Sequence, residues 1–81
     1  MDRQEIRVIV SFLSGLEQSL ASDDDKVFSQ ATLGELSGII DRLMHAAFDA
    51  APLKKRVRLA RLERKARQYK RQIEAKLEVR G

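Results

Sequence analysis

Cysteine and tryptophan are missing from this sequence, and proline, histidine and tyrosine occur once each. Without cysteine there is neither a disulfide framework nor a thiolate metal site. That absence fits a reducing compartment, so a cytoplasmic location is expected. No stretch approaches 18 uninterrupted apolar residues, so no membrane-spanning helix is expected. Asp2 and Glu5 precede the first apolar run, where a secretory signal would carry bases. Four glycines and one proline in 81 residues, with abundant Ala, Leu, Glu, Lys and Arg, read as a single helical domain over residues 1–81. A domain this small buries a limited core and often gains from assembly.

Residues that carry chemistry are scarce. His45 has no second histidine and no cysteine to share a metal with, so no metal site is expected. As a general base it would need a nucleophile and an orienting group. Ser29, Ser37 and Asp41 exist, but no nucleophile elbow or glycine-rich phosphate loop surrounds them. His45 is therefore read as a packing or surface residue. No catalytic residue, cofactor or small-molecule substrate is expected. Asp23, Asp24 and Asp25 lack the further oxygen ligands of a calcium loop and read as a solvated turn whose acids cap the next segment.

What is present is helical periodicity. Ile6, Ile9, Leu13, Leu16 and Leu20 recur at 3-4 spacing behind a capping-box pair, Asp2 and Glu5, which predicts a helix over about 3–21. The β-branched run Ile6–Val10 would also suit a short strand, but it has no partner strand and the stripe runs on to Leu20. Val27 and Phe28 are expected to tuck a turn against the core. Thr32 and Glu35 form a second capping box, and Leu33, Leu36, Ile40 and Leu43 predict a second helix over about 33–50. Gly34 and Gly38, four apart, are read as a notch for close packing against the first helix. Pro52 cannot continue that helix, and a tight turn is favoured there over a kink. Leu59, Leu62, Ala66, Tyr69, Ile73 and Leu77 form the coiled-coil-like seam of a third helix over about 53–79. That helix would be about 40 Å long, against about 28 Å for the others. Its distal end, around Tyr69, Ile73 and Leu77, is therefore expected to lie beyond the first two helices and to be buried between chains.

Ser37-Gly38-Ile39-Ile40-Asp41-Arg42-Leu43-Met44 resembles the Ser-x-x-x-Asp-x-Leu signature of the small helical phosphatases that act on sporulation response-regulator aspartyl phosphates. The resemblance covers eight residues, and it implies Asp41 as the residue to test. Those phosphatases have a two-helix layout without an extended basic third helix.

Charge is the strongest signal. Residues 53–80 carry 12 bases against three acids, Glu63, Glu74 and Glu78, a net of +9. The first 52 residues carry four bases against nine acids, a net of −5. Like charges recur at i,i+4, as in Arg61/Lys65 and Arg67/Arg71, at a few tenths of a kcal/mol each. The bases surround the helix, and Tyr69 is its single aromatic, so base stacking is not expected.

The sequence thus predicts an all-α fold, a three-helix bundle or helical hairpin with a long basic C-terminal helix. Its expected role is that of a non-enzymatic adaptor, chaperone-like or regulatory protein, a homodimer or part of a hetero-complex. Leu62, Ala66, Tyr69, Ile73 and Leu77 would bind the partner protein. The alternative is a nucleic-acid-binding regulator acting through the basic surface of Arg58, Arg61, Arg64, Lys65, Arg67, Lys70 and Arg71. The phosphatase reading stands third.

Overall fold

A computed structural model describes residues 2–49 and 53–80. It contains three helices, α1 (Arg3–Ala21), α2 (Gln30–Phe48) and α3 (Leu53–Arg80), and no strand among the described residues. The all-α reading is correct, and Ile6–Val10 is helical.

Local chemistry sets the helix ends. Asp2 Oδ1 accepts from the Glu5 N–H at 2.8 Å and opens α1. At the far end Asp23 takes a left-handed conformation, with φ of 56°. Its N–H donates to the Leu20 carbonyl, and the Asp24 N–H donates to that of Ser19. This is a Schellman closure, with aspartate in the place glycine usually fills. Ser29, not Thr32, caps α2: its Oγ accepts from the Thr32 N–H at 3.2 Å. Thr32 instead lies inside the first turn, so α2 begins three residues earlier than the second capping box implied. The aspartates of the turn close α1 and do not cap α2. Asp49 ends α2 as its C-cap. The turn or kink expected at Pro52 lies outside the described residues.

The helices share one core. Leu36, Leu43, Leu59 and Ile73 are fully buried, and Phe28 reaches the core from the turn as expected. α2 runs antiparallel to α3: Met44 meets Arg67, whereas Gln30 and Leu33 lie beside Leu77. α1 runs parallel to α3, since Glu17 acts on Tyr69 and Asp23 pairs with Lys76. Overall the molecule measures 43 × 18 × 16 Å, its long axis close to the length of α3, about 42 Å.

The length mismatch is real, but the distal end of α3, expected to overhang, lies beside α2. The seam from Leu59 to Leu77 spans 19 residues, the length of α1 and of α2. Leu53 and Val57 fall on the other side of α3 and are exposed. With Met44 beside Arg67, α2 ends near the level of Leu62, so the first turns of α3 extend beyond α2, while α1, with Glu17 at Tyr69, reaches back to their level. Gly34 and Gly38 also depart from expectation. A Cβ added at either would meet nothing within 4 Å, so neither is a notch for α1. They point away from the side that carries Leu36 and Ile40.

Two stability changes follow. Gly15 also has open space where a Cβ would stand. Gly15→Ala should raise stability by about 0.5–1 kcal/mol in urea denaturation, through helix propensity alone. Ile73→Asp should unfold the domain instead of freeing monomers, since it puts a carboxylate in the chain's own core. Loss of the helical circular-dichroism signal would register it.

Candidate functional site

The seam of α3 is occupied by its own chain. Ala66, Tyr69 and Ile73 are buried in the core, and Leu62 and Leu77 are half-buried against it. The expectation that these five residues await a partner is therefore corrected at its premise. α2 reaches Leu77 through Gln30 and Leu33, so the distal end of the seam is covered within the chain.

Tyr69 shows how tightly this wall is built. Burial pushes its phenol above the ordinary value of 10.0, and the Glu17 charge and the hydrogen bond that the phenol donates to Glu17 push the same way.

The basic residues divide differently. Arg58, Arg61, Arg64, Lys65, Arg67 and Arg71 are exposed, and Lys70 is half-buried. Arg67 is tied back toward the bundle: its guanidinium pairs with Glu63 at 2.9 Å and reaches Met44 Sδ at 3.2 Å. Lys70 lines the α2–α3 concavities beside Glu74. Lys76 pairs with Asp23 and stands 5.1 Å from the centre of the Phe28 ring.

The acids of α3 are sorted by face. Glu74 and Glu78 line the concavities shared with α2, and Glu63 holds the arginine that contacts α2. The outward positions Lys54, Arg58, Arg61, Arg64, Lys65, Gln68 and Gln72 include no acid, and Arg71 borders both this face and the α2 side, where it shares a concavity with Glu74. Arg64, Arg67, Gln68, Arg71 and Gln72 line one surface depression there. Sequence reasoning found the bases but not this sorting, and it missed Gln68 and Gln72. The missed signal is spacing: 63, 74 and 78 are separated by 11 and 4 residues, which keeps them on one side of a helix.

The candidate chemical residues remain scattered. His45 is exposed and donates from Nδ1 to the Asp41 carbonyl of its own helix at 2.8 Å. Ser37 and Asp41 share a concavity with Arg67, Lys70 and Arg71. No cluster of three metal-ligating side chains occurs among the described residues, and no helix there is long and apolar enough to cross a membrane.

The Tyr69 shift has a readable consequence. A raised phenol value means that the fold favours the neutral form. The associated stability is complete below 10.0 and disappears as pH climbs through the folded value. Ultraviolet titration of this single tyrosine should give a midpoint above 10.0. Glu17→Gln should lower it while leaving the contribution of burial.

No protein-family model, curated protein or solved structure matches the chain.

Proposed function

We propose that this chain is a non-enzymatic helical binding module whose outward α3 face holds an extended polyanion, namely the phosphate backbone of a nucleic acid, in the cytoplasm. The observation that carries this is the placement of Glu63, Glu74 and Glu78 on the α2 side, which leaves the outward face cationic and polar. From Lys54 to Gln72 that face extends about 27 Å. At about 3.4 Å per nucleotide along one strand, this spans roughly eight phosphates. A straight helix follows a curved backbone over only part of that length, so about four contacts are expected. Arginine and lysine neutralise phosphates and release condensed counterions, while glutamine adds hydrogen bonds without a competing acid.

The partner-protein reading drew its priority from an apolar seam in need of cover. With the seam inside the bundle, the polyanion reading takes precedence. Protein recognition retains support from a different observation. Phe48, at the end of α2, is 84% exposed, and Leu53, among the bases at the start of α3, is 70% exposed. Exposed apolar side chains with a charged rim suit an acidic protein surface. The phosphatase reading draws support from its local motif and from the cations beside Asp41.

Fluorescence anisotropy with random-sequence duplex DNA separates the two leading readings. Log affinity should fall against log salt with a slope near −3.6 for about four phosphates. Replacing Arg61, Arg64, Lys65 and Arg71 together with Gln should remove most binding and flatten the slope. Phe48→Ala with Leu53→Ala should leave both intact. No salt-dependent binding by the folded wild type would sink the polyanion reading.

A further inference from the structure

Between α1 and α2 runs a groove of about 400 Å³, lined by those two helices alone. Val8, Phe12 and Ile39 give it apolar lining over the buried Ile9, and Gly34 and Gly38 line its α2 side. Val8 is 62% exposed at its edge. The open space above both glycines means that neither serves packing within the chain. Nothing from α3 takes part, so this surface is separate from the basic face.

Two charges stand at the rim, Glu35 and Arg42. Both are exposed, and they lie seven residues apart on the same side of α2, about 10 Å along the axis. Neither forms an ion pair among the described residues. Their midpoint falls between Gly38 and Ile39. A two-fold interface requires that if residue i meets residue j, then j also meets i. An antiparallel second α2 centred on that midpoint satisfies this rule. Glu35 of each copy would face Arg42 of the other, twice. The absence of a side chain at Gly38 would then sit where the two backbones come closest. Rim charges that are opposite in sign and balanced about the interval between Gly38 and Ile39 suit a second copy of the same helix, which supplies the matching pair without any further sequence.

We propose that the α1–α2 groove is the homodimer surface of this protein, closed by a second copy with its α2 antiparallel. Glu35 and Arg42 set the register, and Gly38 permits close approach.

Sedimentation velocity without nucleic acid tests this. The wild type should pass from a 9.2 kDa monomer to a dimer at concentrations below about 1 mM. Glu35→Arg or Arg42→Glu alone places two like-charge pairs in the contact and should raise the dissociation constant by about tenfold or more. The double variant Glu35→Arg with Arg42→Glu should return to within about threefold of wild type, a coupling that two unrelated surface charges would not give. Gly38→Leu should remain monomeric with its helical circular-dichroism signal undiminished, because the added side chain meets nothing in its own chain. A wild type that stays monomeric up to about 1 mM would overturn the proposal. So would a double variant as weak as either single one.

Discussion

One geometric match governs this molecule: a 19-residue apolar seam in α3 set against two helices of 19 residues each. Burial of apolar area is the main favourable term in a domain this small, so the helices align wherever that burial is complete. Leu59 and Ile73, both fully buried, lie 14 residues apart within that overlap. Once the overlap is fixed, the rest follows. Tyr69 meets Glu17, Lys76 meets Asp23 and Phe28, and the first turns of α3 extend beyond α2.

The same match decides where charge must go. α3 has a net charge of +9, and its apolar side is taken. Repulsion between neighbouring bases is relieved where an acid can be reached, at Glu63 for Arg67 and at Asp23 for Lys76. Those relieved positions face the bundle. The outward positions retain like-charge neighbours such as Arg61 and Lys65, with only water and counterions to screen them. Each such pair costs little, but a polyanion would remove several costs together while releasing its own counterions. The unrelieved face is thus the one with most to gain from an anionic ligand. Seam residues, already dehydrated against their own chain, have no comparable gain left.

Much of this was legible in the sequence, and the failures have physical causes. All three helices and the capping role of Asp2 follow from periodicity and side-chain chemistry. The error at α2 arose because Ser29 and Thr32 are both good caps. Glu35 favoured Thr32, whereas the Ser29 pairing with both the N–H and the hydroxyl of Thr32 secures the earlier start. The misplaced overhang came from counting length from the turn when phase should have decided. Leu53 and Val57 are out of phase with Leu59, and that was visible. The glycine notch failed for a related reason, since Gly34 and Gly38 are on the opposite side of α2 from Leu36 and Ile40. Sorting of the acids was visible in their spacing, but the bases, being on every side, hid it. The Schellman closure at Asp23 was not legible, because aspartate enters the left-handed region only where the following chain demands it.

These corrections shift the argument about function from apolar surface to charge and shape. A seam without cover would have made partner burial a requirement of folding, and the protein's stability would then depend on its partner. A closed seam removes that dependence: the bundle has a core of its own, and binding becomes an added property of its surfaces. Two such surfaces remain, and the bundle keeps them apart. The basic face belongs to α3 alone, and the groove lined by Gly34 and Gly38 belongs to α1 and α2. Occupying one leaves the other exposed, so a two-fold pair joined through the groove would present two basic faces. Linked sites of that kind gain from effective concentration once the first is bound, provided the ligand is long enough to span both. A long phosphate backbone meets that condition, whereas a small acidic domain does not. The separation of the surfaces therefore favours an extended ligand over a compact one.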